Sequence, residues 1–129
     1  MNKKKYVLPS IRINNFKGAP IKIREYWEKY LSLNLKNAIT YAFYFNYESN
    51  YKGDYDFTIG GENYFSDSNS IFINKDDYKI FKCNLSTIID TWKIIWNLED
   101  IGELQRSYNL DFEKHHNDGT VEIHISIQR

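Results

Sequence analysis

Residues 38–47 constrain this chain more than any other stretch. Read with the two-residue repeat of a strand, one side carries Ile39, Tyr41, Phe43 and Phe45 and the other Ala38, Ala42 and Tyr44, so neither side is built to face water. Such a strand needs cover on both faces. Helix supplies one cover; the other is a partner subunit or the wall of a pocket. With 129 residues the chain is expected to form one domain, 1–129, long enough to bury about two-thirds of its unfolded surface.

The flanking segments take simpler patterns. A strand is expected over residues 6–14, with Val7, Ile11 and Ile13 apolar and Pro9 marking an edge or a bulge. Gly18-Ala19-Pro20 opens a helix, because proline is tolerated in a first turn, and Ile23, Trp27, Tyr30 and Leu31 recur on one side of it. Residues 53–61 alternate as a half-buried strand with Tyr55, Phe57 and Ile59 inward, ending at Gly60-Gly61. Residues 71–73 and 78–83 read as short strands. Thr87 and Asp90 then fit a capping pattern for a second helix, with Ile88, Trp92, Ile95 and Trp96 on one face. The order strand, helix, strand, strand occurs twice, which suggests a duplicated α+β module, although no residue-level repeat links the halves.

Asp118-Gly119 signals a terminal hairpin. A two- or four-residue loop pairs Phe112 with Ile125, Glu113 with His124 and His115 with Glu122. One face is then Tyr108, Leu110, Phe112, Val121, Ile123, Ile125 and Ile127, a core face; the other is ionisable, with Asp111, Glu113, His115, Glu122, His124 and Ser126. A three-residue loop would set Glu113 against Ile123 and break that division, so it is not expected. The ionisable face is either solvated or the lining of a cleft in which Glu113 meets a ligand.

Several function classes are disfavoured. Lys+Arg and Asp+Glu both number 17, leaving no basic footprint for nucleic acid or an anionic membrane. No run is long enough to span a bilayer, and the basic Met1-Asn2-Lys3-Lys4-Lys5 start lacks the apolar region of a signal peptide. The single Cys83 excludes an internal disulfide and suits a cytoplasmic setting. His115, His116 and His124 have no metal-ligand spacing, and neighbours on a strand point to opposite faces, so neither a metal nor a cofactor is expected.

Four blocks carry a resemblance. Tyr44-Phe45-Asn46-Tyr47-Glu48-Ser49-Asn50, then Gly53-Asp54-Tyr55 with Ile59-Gly60, then Trp92-Lys93-Ile94-Ile95-Trp96, and Arg106-Ser107-Tyr108-Asn109-Leu110-Asp111-Phe112-Glu113 resemble, in order and spacing, the gyrase-inhibitor-like small-molecule-binding domain. This is also the effector-binding domain of AraC-type transcription activators. The resemblance runs from about residue 41 to residue 129. It implies two strand-helix-strand-strand modules about a pseudo-twofold axis, forming a concave antiparallel sheet with two helices and a central cleft for hydrophobic, often cationic, molecules. It also implies that Glu113 lies in that cleft, with Tyr44, Tyr55, Trp92, Trp96 and Tyr108 as walls. The family commonly has tyrosine where this chain has His115 and His124, which implies a more polar and more pH-sensitive cleft.

Three functions follow from the resemblance. The favoured one is a stand-alone small-molecule-binding protein, regulatory or sequestering, with no helix-turn-helix segment of its own for DNA and with a protein partner or a homodimer as further partners. The second is a hydrolase of reactive electrophiles, with Glu113 as general base. The third is a protein-binding inhibitor of DNA gyrase.

Overall fold

The computed structural model describes residues 3–129. In chain order the elements are β1 (Lys3–Val7), β2 (Ile11–Asn14), α1 (Ala19–Leu31), β3 (Ile39–Phe45), β4 (Asp54–Gly61), β5 (Asn69–Ile73), β6 (Tyr78–Asn84), α2 (Ile88–Asp100), β7 (Asp111–His116) and β8 (Thr120–Ser126). The fold is α+β, an open antiparallel sheet of eight strands with two helices packed on it. The expected strand over residues 6–14 is broken at Pro9 into β1 and β2, which pair with successive parts of β4.

Strand order reveals the duplication. Apart from β1 and β5, the sheet runs β2-β4-β3-β7-β8-β6, with β3 pairing β7 at the centre. In each half the strand after the helix is innermost, the next lies outside it, and the strand before the helix is outermost. The two halves are therefore the same strand-helix-strand-strand unit meeting at β3 and β7.

The second cover of β3 comes from the sheet itself. Strands β5 and β6 stand at opposite ends of the strand order, which would be about 29 Å apart in a flat sheet. The link from Ile73 to Tyr78 reaches about 18 Å at most, so the sheet must curl. Curling closes an apolar cluster on the face away from the helices. Val7, Tyr41, Phe43 and Phe112 are buried there, with Ile71, Ile73 and Tyr78 from the two ends packed around them.

The helices cover the other face. Helix α1 starts after Gly18, whose φ of 83° is the left-handed conformation, and carries proline in its first turn. Ala19, Ile23, Tyr26 and Tyr30 form its inward stripe, while Leu31, expected on the apolar side, is 62% exposed. The spacing of the stripe rotates the buried face toward Tyr26, and Trp27 is left on its shoulder. In α2 the stripe is Ile88, Trp92, Ile95 and Leu98, over Val121, Ile123 and Ile125. Thr87 occupies the N-cap position as expected, but its side chain makes no cap hydrogen bond; Asn84 Oδ1 accepts from the Ser86 and Thr87 amides and organises the entry. No helix among the described residues is long and apolar enough to cross a membrane.

Gly60 is required by the β1–β4 contact. A Cβ there would lie 2.2 Å from the Tyr6 carbonyl oxygen and 2.8 Å from Val7 Cα, which are backbone atoms that cannot swing aside. Gly60→Ala is expected to destabilise the protein by about 1–3 kcal/mol, the usual cost of overpacking, read as a lower urea midpoint at unchanged slope.

Candidate functional site

A cleft of about 740 Å³ opens between α1 and α2 above the central strands. Ile23 and Trp27 of α1 and Trp92 and Trp96 of α2 form its sides, and Tyr44, Glu113 and His115 form its floor. Its size and apolar lining fit a drug-sized organic molecule.

Register explains how a carboxylate reaches the floor. Glu113 pairs with Ala42 of β3 on one side and Ile123 of β8 on the other. Residues opposite one another share a face, so Glu113 and His115 point with Ala42, Val121 and Ile123 toward the helices. This is the register excluded from the sequence. The hairpin has a three-residue loop, Asn117-Asp118-Gly119, in which Gly119 adopts a φ of 90°. The expected pairs Phe112 with Ile125, Glu113 with His124 and His115 with Glu122 are replaced by Phe112 with His124, Glu113 with Ile123 and His115 with Val121. A uniform division into apolar and ionisable faces fails because the helix-side face is partly dry core under α2 and partly cleft floor.

Glu113 is 3% exposed and fully engaged. Its Oε2 accepts from the Tyr44 hydroxyl and from Trp92 Nε1, both at 2.7 Å, and its Oε1 lies 2.7 Å from His115 Nε2. Burial, then the neighbouring Glu113 charge, pushes the Tyr44 phenol well above its ordinary pKa, so it stays protonated and donates. Burial and Glu113 raise Tyr55 in the same way. Trp27 packs on His115 with ring centroids 4.7 Å apart.

A second buried carboxylate, Asp111, lies two residues earlier on the same face. Its Oδ1 accepts from the Ser126 amide and hydroxyl at 2.7 and 2.8 Å. Its Oδ2 accepts from the Tyr47 hydroxyl at 2.6 Å and from Arg106 Nη2 at 2.8 Å. Here the charge has a permanent counter-ion. The Tyr47 phenol is pushed well up by burial and then by Asp111, so it too remains a donor.

Of the residues expected at the site, Glu113, Tyr44, Tyr55, Trp92, Trp96 and His115 all line the cleft. Tyr108 and His124 do not. Tyr108 leaves the strand with a φ of 55°, lays its ring under the Arg106 guanidinium at 4.2 Å and donates to Glu99 at 2.6 Å. His124 is carried to the opposite face by the one-residue change of register, where it stacks on Phe112 with centroids 4.6 Å apart. Trp27, Tyr47 and Arg106 are further lining residues that the sequence did not single out. Tyr47 and Arg106 stood within the blocks that carry the resemblance, but nothing in their spacing tied them to Asp111. Among the described residues no group of three or more His, Cys, Asp or Glu is placed to hold a metal ion.

Asp111→Asn is expected to cost about 3–5 kcal/mol in urea denaturation, because it strands the Arg106 charge in a buried setting. Burial lowers the His124 pKa, so the folded state resists a proton that the unfolded chain accepts. That contribution is present above about pH 6.5 and is lost as pH falls toward the lowered folded value. Urea midpoints should therefore fall between pH 7 and pH 5, with a smaller fall in His124→Gln.

No protein-family model matches this chain, and no curated protein matches it. Among solved structures it is similar to an integron cassette protein, VCH_CASS2, from the mobile metagenome of Vibrio cholerae. The two are 26% identical, with a TM-score of 0.82 over 99% of this chain and 95% of that one, so the α+β architecture is shared along nearly the whole length of both.

Proposed function

We propose that this protein binds a small hydrophobic organic cation in the cleft between α1 and α2, with Glu113 as its counter-charge. One observation carries the reading. Glu113 is buried, yet its hydrogen-bond partners are Tyr44, Trp92 and His115, and none of these is a permanent cation. Among the described residues its only ion-pair partner is that histidine. A buried carboxylate without a fixed counter-ion is costly, and a ligand cation supplies what is missing. Tyr44, Tyr55, Trp92 and Trp96 add aromatic faces, whose attraction for a cation grows when water is excluded.

The same carboxylate could act as a general base for a hydrolase of electrophiles. Three donors already use most of its lone-pair directions, which favours holding a charge over taking a proton from water. Binding would serve sequestration, or signalling to a partner that carries a DNA-binding segment. The unpaired Cys83 is in keeping with a cytoplasmic setting.

Calorimetric titration with a naphthylmethyl-trimethylammonium ion tests this reading. Glu113→Gln should weaken this ion at least about tenfold while sparing a neutral naphthalene of equal size. Equal affinity of wild type and Glu113→Gln for the cation would exclude the reading.

A further inference from the structure

The cleft runs past Glu113 in both directions, and its two ends differ. Its floor follows β7, and from Glu113 to Asn117 in the hairpin turn it extends about 13 Å at the rise of a strand. Toward Asp111 the lining is aromatic. Tyr47 donates to Asp111, Tyr55 lies 6.0 Å from Tyr47, and Trp96 stacks on Tyr51 with centroids 5.0 Å apart. Toward the hairpin, past the contact of Trp27 with His115, the lining turns aliphatic, with Leu31, Leu85, Ile88, Ile89 and Val121.

Chain geometry places these side chains at that end. Phe16, just before α1, packs on Tyr51 and Trp96 with centroids 6.3 Å away, so α1 starts at the aromatic end and its last residue, Leu31, stands at the other. Leu85 is held against the hairpin by its amide, which donates to the Gly119 carbonyl at 3.3 Å, and Ile89 follows in the first turn of α2. Leu31, Leu85 and Ile89 are 62%, 64% and 68% exposed, yet all three line the cleft, so a ligand can reach them. Large apolar side chains gathered in the open from α1, α2 and the segment between β6 and α2 mark a binding surface. They offer no charge, no donor and no ring face. An alkyl chain is what they can hold. Continuity with the Glu113 floor makes that chain part of the same ligand, and about 740 Å³ is ample for a ring and a chain together.

We infer that the preferred ligands are amphiphiles, aromatic cations that also carry an alkyl chain, with the ring at the Tyr47, Tyr55 and Trp96 end and the chain laid over Leu31, Leu85 and Ile89. The cationic part of this statement rests on the reading of Glu113; the alkyl chain rests on the hairpin-end residues alone. Chain length then sets affinity, because each methylene taken out of water against an apolar wall adds to binding.

The test compares four probes by calorimetry. Two are naphthylmethyl-dimethylammonium ions, one completed by a methyl group and one by a hexyl chain; two are the neutral naphthylmethyl methyl and hexyl ethers. Wild type should bind the hexyl cation at least about tenfold more tightly than the methyl cation, since each fully buried methylene is worth up to about fourfold. In Leu85→Asn combined with Ile89→Asn this ratio should fall to within about twofold of unity. Ile94→Asn combined with Ile101→Asn, which changes two exposed apolar residues outside the cleft, should keep the wild-type ratio. All four side chains are exposed, so each pair should fold; if the Leu85 and Ile89 pair does not, Leu31→Asn takes its place. A ratio near one in wild type, a ratio that survives the Leu85 and Ile89 changes, or a ratio lost in the Ile94 and Ile101 pair overturns the inference while leaving the cation reading intact. So does a wild-type dimer that the Leu85 and Ile89 changes split in sedimentation, because a second copy then covers the patch. If neither cation binds but the hexyl ether outbinds the methyl ether in a way that depends on Leu85 and Ile89, the alkyl subsite stands and the cation reading fails. Binding of none of the four overturns both.

Discussion

The pairing of β3 with β7 is the constraint on which the rest of the structure depends. It joins the two strand-helix-strand-strand units, and its register decides what each face of the sheet centre presents. Phe43 opposite Phe112 fills the curled side with aromatic core. Ala42 opposite Glu113 and Tyr44 opposite Asp111 turn two carboxylates toward the helices. A slip of β7 by one residue would send both carboxylates into the apolar cluster and Phe112 into the cleft.

The two carboxylates are buried to a similar degree and solved differently. Asp111 has a permanent cation in Arg106 and four hydrogen bonds, so it acts as a structural node tying β7 to β8, to the 104–110 segment and to Tyr47. Glu113 has neutral donors and a histidine. Tyrosines serve both: in each case burial keeps the phenol protonated, so that it donates to the neighbouring carboxylate and does not compete with it for charge. Of the two, Glu113 lies on the floor of the cleft and has no permanent cation among its hydrogen-bond partners.

Much of this was legible in the sequence where one physical rule acted alone. Period-2 alternation placed Tyr55, Phe57 and Ile59 inward on β4, and the two-sided apolar pattern of residues 39–45 marked β3 as covered on both faces. The capping and periodic signals found both helices. Reading failed where two rules overlapped. The hairpin register was judged on uniform faces, but Val121 and Ile123 share a face with Glu113 and His115 because core and cleft adjoin there. Tyr108 looked like a core strand residue, since nothing in a tyrosine announces a φ of 55°. That turn is what brings Arg106 back over Tyr108 and onto Asp111, and so the buried ion pair was hidden as well.

The most direct test of the central claim is a crystal structure of the protein with a naphthylmethyl-trimethylammonium ion. The account places the ammonium beside the Glu113 carboxylate and within about 6 Å of the Trp92 or Tyr44 ring centroid, with the naphthalene between α1 and α2. An ion bound with its ammonium turned to solvent, or bound outside the cleft while Glu113 keeps its three donors unchanged, would contradict it.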